Sequence, residues 1–183
     1  MQFFLKLVII GLTSLNLQAS WFITTPGELS ITLPNENVIL YNGIPVKVIS
    51  KGNQSAKIEI SGYVNPSDKT KLYATENLSL LSMELKDEKK VIVDNNRGTV
   101  TITVPNNILT EDQDEAWQTN SDLFYDKCTK CHHAKVVKDH NMLEWEALFN
   151  SMKLKAKTAP DEDELIMRFL RAFAKDGILT ESD

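Results

Sequence analysis

The chain has 183 residues, of which 42% are hydrophobic and 25% are charged, and its formal net charge is −5. This composition is typical of a globular protein and argues against a disordered chain. The acidic balance, and the lack of a basic stripe with interleaved aromatic residues, argue against nucleic acid as a partner.

The first predicted element is an export signal in residues 1–19. An apolar run follows the single Lys6, and the segment ends in small and polar residues at Ala19 and Ser20. The run is short for a membrane-spanning helix, so it predicts a secretory signal peptide that is cleaved near Ala19, with an uncleaved N-terminal anchor as the alternative. The predicted location is the periplasm. Free thiols are unusual outside the cytoplasm, so the two cysteines are expected to have a chemical partner.

Residues 20–105 predict a β-rich domain. Several short segments are rich in Val, Ile and Thr, and some of them alternate between apolar and polar residues. These segments are ELSITL, NVILY, IPVKVIS, AKIEISGYV, KKVIVD and GTVTITVP. Asn42-Gly43 lies between two of them and predicts a β-hairpin, because both turn positions tolerate positive φ. Many short strands with few helix signals indicate a small antiparallel barrel or sandwich.

The pattern changes after Pro105. Residues 106–120 are polar and acidic without strand alternation, and they predict a linker. Residues 121–183 predict helices, at 121–128, at 141–156 and at 160–175, the last with Pro160 in its first turn. Residues 106–183 carry ten basic and sixteen acidic side chains, whereas residues 21–105 carry nine of each.

The motif CTKCHH, residues 128–133, contains both cysteines of the chain and two of its three histidines. Cys-x-x-Cys-His is the attachment signature of haem c. Thiols at this spacing can bond to the two vinyl groups of one haem, which would place Cys128 and Cys131 as attachment residues and His132 as the proximal iron ligand. The export signal fits, because this attachment is normally made outside the cytoplasm.

Three other interpretations of the motif compete with haem. A disulfide between Cys128 and Cys131 would close a very small loop and stabilise little. A thioredoxin-like dithiol needs a βαβ context that is not evident here. A zinc site would use both cysteines and two of His132, His133 and His140, whose spacing fits zinc fingers poorly.

The predicted sixth iron ligand is Met152, which follows His132 by twenty residues and shares a helix face with Trp145 and Phe149. A methionine ligand raises the reduction potential relative to a histidine. Met142, Met167 and His140 are the alternatives, and Met152 could instead fill core space. His133 is expected to be a surface residue.

The motif is surrounded by Lys127, Lys130, Lys135 and Lys138, with no acidic residue between the first and the last. This cluster predicts positive charge near an exposed haem edge, which would steer the protein towards an acidic redox partner. A solvated loop is the alternative. Phe169 and Phe173 are expected to pack on Leu123 and Phe124 and on the haem edge.

Residues 25–177 resemble the C-terminal monohaem portion of the pentahaem cytochromes of trimethylamine N-oxide respiration. The resemblance rests on the combination IPVKV…IEISGY, the motif CTKCHH and the tail LIMRFLRAFAKD. It implies an α+β fold of two domains, with a small antiparallel SH3-like β barrel (20–105) followed by an all-α monohaem cytochrome c domain (121–183). It assigns Cys128 and Cys131 to haem attachment and His132 to the proximal position, and it supports Met152 as the distal ligand.

The same resemblance implies a periplasmic electron carrier of anaerobic respiration rather than an enzyme. Such a carrier holds one covalent haem c and takes electrons from a membrane quinol dehydrogenase or a multihaem cytochrome. It delivers them to a periplasmic molybdoenzyme that reduces N-oxides or S-oxides. The chain departs from the family in having a single Cys-x-x-Cys-His, so another protein must oxidise quinol. A haem-based redox or gas sensor is the alternative function, and a peroxidase is a third.

Overall fold

The computed structural model describes residues 20–133 and 135–181. The predicted signal peptide, residues 1–19, lies outside the described residues. Ten β-strands and three α-helices are found in the described part of the chain, with all the strands preceding the helices. The strands are β1 (Trp21–Ile23), β2 (Ser30–Leu33), β3 (Val38–Tyr41), β4 (Pro45–Lys51), β5 (Ser55–Asn65), β6 (Asp68–Tyr73), β7 (Leu81–Leu85), β8 (Ile92–Asp94), β9 (Arg97–Pro105) and β10 (Leu109–Thr110). The helices are α1 (Gln113–Cys128), α2 (Met142–Ala156) and α3 (Pro160–Phe173).

The strands form one antiparallel sheet in the order β10-β1-β4-β5-β6-β7-β3-β2, with β9 pairing to β5 and β8 pairing to β9. The longest strand, β5, alternates between buried and exposed side chains along most of its length, so one face packs on the core and the other meets solvent. The Asn95-Asn96 turn joins β8 to β9 with positive φ at both residues, the geometry that two-residue hairpins favour.

The predicted fold class is wrong. The molecule is mostly an antiparallel sheet that curls into a half-barrel and carries three helices, rather than an SH3-like barrel followed by an all-α cytochrome c domain. The six strands predicted from sequence are present, whereas β1, β6, β7 and β10 were not predicted. Those four segments are short or lack clear alternation, and the pairing with their neighbours determines their conformation.

The segment 106–120 is not a linker. It contains β10, which pairs with β1, and the first half of α1. Asp112 caps this helix by accepting hydrogen bonds from the backbone amides of Asp114 and Glu115. The acidic residues that suggested a linker therefore begin a helix, where negative charge is favoured. Trp117 is only 2% exposed and belongs to a hydrophobic cluster that includes side chains of both the sheet and the helices.

The Asn42-Gly43 turn is not a hairpin, because β3 and β4 do not pair with each other. The Asn42 side chain accepts hydrogen bonds from the backbone amide and the hydroxyl of Thr25, at 2.8 and 3.2 Å. It donates to the carbonyl of Ala116 at 2.8 Å and to Oδ1 of Asn120 at 3.0 Å. A buried polar network at this turn thus joins the sheet to α1.

Helix α3 reaches the same turn through Arg168, which is 5% exposed. Its Nε donates to the carbonyl of Asn42 and its Nη1 donates to the carbonyl of Leu81, both at 2.8 Å. The guanidinium lies 5.2 Å from the ring centre of Tyr41, within the range of a cation–π interaction. Burial lowers the pKa of Arg168 to about 9, so the group is still charged at neutral pH.

Gly43 allows Trp117 to pack directly against the turn. Gly43 has φ of +76°, and a Cβ atom there would overlap the indole carbons of Trp117. We predict that Gly43→Ala lowers the free energy of unfolding by about 2–5 kcal/mol, since it combines overpacking with a left-handed backbone. Urea unfolding followed by circular dichroism measures the loss.

Gly27→Ala is the matched control for this prediction. Gly27 also has positive φ, at +77°, but a Cβ atom there would meet nothing within 4 Å. Gly27→Ala should lower the free energy of unfolding by only about 1–2 kcal/mol, which is the cost of the left-handed backbone alone. Equal losses in the two variants would show that contact with Trp117 does not constrain Gly43.

Candidate haem-attachment site

The Cys-x-x-Cys-His motif lies where α1 ends. Cys128 is the last residue of the helix, and the amide of Thr129 closes the final turn by donating to the carbonyl of Tyr125 at 3.1 Å. Cys131 and His132 follow in an irregular loop. The Cys128 side chain is half-buried, whereas Cys131 and His132 are exposed. Both cysteines are free thiols in the structure.

Both cysteines and His132 line one cavity of about 190 Å³ between the end of α1, the loop and α2. Met152, the predicted distal ligand, lines the same cavity from α2. Most of the remaining wall is apolar and is formed by Phe124, Trp145, Leu148, Phe149, Ala156 and Leu170. The motif and Met152, which are up to twenty-four positions apart in sequence, therefore meet at one apolar site.

Aromatic contacts give this cavity a firmly packed wall. The ring of Phe124 packs edge-on against Trp145 with ring centres 6.0 Å apart. Trp145 is fixed by its indole N–H, which donates to the carbonyl of Val137 at 2.8 Å. Phe169 contacts Phe124 at 5.6 Å as expected, but Phe173 packs on Trp117 instead. Among the described residues, α3 contributes Leu170 to the cavity wall rather than either phenylalanine.

The His132 ring is oriented by a hydrogen bond from Nδ1 to the backbone carbonyl of His133, at 2.8 Å. A carbonyl oxygen can only accept, so the bond places the proton on Nδ1 and leaves the lone pair of Nε2 free. Such a bond fixes the tautomer that a metal-binding imidazole needs. The His133 side chain is exposed, as expected.

The alternative distal ligands are held elsewhere. Met142 is buried, and its sulfur lies 3.5 Å from Nδ2 of Asn77. Met167 lines a different cavity, beside Arg168. His140 packs edge-on against Trp145, with ring centres 5.1 Å apart, and is not among the residues that line the motif cavity. Of the four candidates, Met152 is the one whose side chain faces the same space as His132.

The predicted positive cluster is partly neutralised. Nζ of Lys127 lies 2.8 Å from the Glu162 carboxylate, and Lys130 pairs with Asp126 at 3.1 Å. The hydrogen bond from Lys127 holds the pKa of Glu162 below its usual range. Sequence analysis did not predict that Lys155 would border the cavity, although its position three residues after Met152 on α2 offered a signal.

Within residues 20–133 and 135–181, no group of three or more His, Cys, Asp and Glu side chains could hold a metal ion. The described side chains therefore do not form the four-ligand zinc site considered above. None of the described helices has the length and apolar character needed to cross a membrane.

Comparison of the chain with known protein families, with curated proteins and with solved structures gives no match.

The two thiols differ in environment, and we predict that they differ in reactivity before any cofactor is attached. Burial raises the pKa of the Cys128 thiol, and the thiolate is the reactive form. In the native chain without haem, iodoacetamide should alkylate Cys131 several-fold faster than Cys128. Trypsin cleaves after Lys127, Lys130 and Lys135, so mass spectrometry can follow the two cysteines in separate peptides.

Alkylation in concentrated urea provides the control, because unfolding should make the two rates nearly equal. A native Cys128 that reacts as fast as Cys131 would contradict the half-buried position of its side chain.

Proposed function

We propose that this protein is a one-electron carrier that holds a single haem c through Cys128 and Cys131. The observation that supports this most is the meeting of both cysteines, His132 and Met152 at one apolar cavity. An imidazole and a thioether are the axial pair of cytochromes c. The four side chains are thus the set that covalent attachment and axial ligation of one haem require.

Each residue has a distinct part in this proposal. Cys128 and Cys131 would hold the haem, each thiol contributing its sulfur and its hydrogen to one vinyl group to give two thioether bonds. His132 offers Nε2 as the proximal ligand, because its Nδ1 is engaged by the carbonyl of His133. Met152, on α2, would offer its sulfur as the second iron ligand. When bound, the haem supplies iron that alternates between the ferric and ferrous states.

The cavity fits a cofactor that is only partly enclosed. Its volume of about 190 Å³ is below the roughly 300–1,000 Å³ typical of pockets that enclose a small molecule. Covalent bonds can hold a haem where enclosure is incomplete. Partial enclosure would leave a haem edge near the surface, which is what electron transfer between proteins requires. No bond of a substrate is made or broken in this role.

The compartment and partners are proposed from the sequence. The segment 1–19 and the c-type motif both support an exported protein of the periplasm. The resemblance to the trimethylamine N-oxide cytochromes suggests a membrane quinol dehydrogenase or a multihaem cytochrome as donor. It suggests a periplasmic molybdoenzyme that reduces N-oxides or S-oxides as acceptor.

A haem sensor is the second candidate, and the exposure of Met152 favours it. This side chain is 37% exposed, so it lies at the mouth of the cavity, where an external ligand could displace it. A carrier with a firmly bound methionine should bind carbon monoxide poorly in the ferrous state, whereas a sensor should bind it readily.

We predict that Met152→Leu, in protein produced with a c-type maturation system, retains covalent haem but loses the methionine–iron charge-transfer band. Leucine preserves the apolar volume and removes the sulfur. The variant should also bind carbon monoxide more readily than the parent protein and have a lower reduction potential. Absorption spectra of the oxidised and reduced forms provide the measurement.

Met167→Leu is the matched control, since Met167 lines another cavity, and its spectrum should be that of the parent. An unchanged spectrum in Met152→Leu would reject Met152 as the sixth iron ligand and favour another residue in that role. A parent protein that never shows the band and binds carbon monoxide freely would favour the sensor.

A further inference from the structure

The cavity beside the motif has an unusual charge distribution. Its described lining residues include three lysines, Lys127, Lys135 and Lys155, and no Asp or Glu. The other residues that line the cavity are mostly apolar. A site of this kind combines apolar contact area with a positive border, in a chain whose net charge is negative.

Two of the three lysines have no acidic partner among the described residues. Lys127 is neutralised by Glu162 at 2.8 Å. Lys135 and Lys155 form no ion pair with any carboxylate of the described chain, and Nζ of Lys135 lies 3.3 Å from Nε2 of His140. The cavity therefore has two cations whose charge its own surroundings do not balance.

An apolar cavity with two unbalanced cations suits an apolar ligand with two carboxylates. Haem is such a ligand, because its two propionates are the only ionised groups on an otherwise apolar ring edge. We propose that Lys135 and Lys155 bind the two haem propionates and keep them ionised. This proposal rests on the proposed function, since the propionates belong to the haem that the proposed function requires.

The ionisable groups that face the cavity are Lys127 and Cys128 on α1, Cys131, His132 and Lys135 in the loop, and Lys155 on α2. The α3 contribution is the apolar Leu170. Thioether bonds and iron ligation would remove the thiols and His132 from titration. The two unpaired lysines would then supply uncompensated positive charge at the cavity, and positive charge beside a carboxylate lowers its pKa.

The test measures the reduction potential of the holoprotein from acid to neutral pH. The potential falls as a propionate ionises, because a nearby negative charge stabilises the ferric state. In Lys135→Gln/Lys155→Gln, the propionate pKa should rise. The pH at which the reduction potential falls should therefore increase by about one unit or more. The Lys135→Arg/Lys155→Arg variant keeps the charges and should restore the parent profile.

Lys138→Gln/Lys157→Gln is the charge-matched control. These exposed lysines are close in sequence to the first pair but do not line the cavity, so the control should keep the parent profile. Covalent haem content and thermal unfolding of each variant show that folding is preserved.

Covalent haem with identical pH profiles in the glutamine variant and the control would overturn the propionate assignment while leaving the electron carrier intact. A glutamine variant that alters only the salt dependence of electron transfer to a partner would also overturn it, and would assign the lysines to docking. A parent protein without covalent haem would overturn the proposed function itself.

Discussion

The architecture depends on the buried hydrogen bonds around Asn42. Its side chain uses both its oxygen and its nitrogen, and connects the segment after β1 to α1. Its backbone carbonyl accepts from Arg168 of α3. Asn120, a partner of Asn42, also donates to the carbonyl of Leu165 on α3 at 3.0 Å. Two of the three helices are therefore fixed to one turn of the sheet by directional bonds.

This connection also positions the candidate site. The turn fixes α1 near Trp117, and the same helix ends at Cys128, where the motif begins. Helix α3 is fixed through Arg168 and contributes Leu170 to the cavity. Helix α2 completes the wall by packing Trp145 against Phe124. The cavity at the motif is thus built on helices that the sheet supports, rather than on a self-contained helical domain.

Part of this structure could be predicted from the sequence, and the reasons differ between elements. The three helix ends at Cys128, Ala156 and Phe173 lie within two residues of their predicted positions, because caps and apolar periodicity are local signals. The motif was identified from its spacing, and Met152 from its helix face and the family resemblance; the structure places them at one cavity. The local sequence around Asn42-Gly43 did not indicate a buried junction, because its partners Ala116 and Arg168 are distant in sequence.

Part of the charge pattern also differs from the prediction. Lys127 and Lys130 looked unpaired because Glu162 is distant in sequence and Asp126 lies on the preceding helical turn. Acidic composition suggested a linker where α1 begins, because the same residues suit both a solvated loop and a first helical turn. The Lys127–Glu162 pair depends on a tertiary contact, whereas the Asp126–Lys130 pair and the Asp112 cap of α1 are local interactions that were not predicted.

The measurement that tests the account most directly is the intact mass of the denatured protein, produced in cells with a c-type maturation system. Covalent attachment should raise the mass above that of the mature polypeptide by one haem, and the excess should disappear in Cys128→Ala/Cys131→Ala. A polypeptide of unmodified mass, with both thiols free under the same conditions, would contradict covalent haem at this site and the electron-transfer function with it.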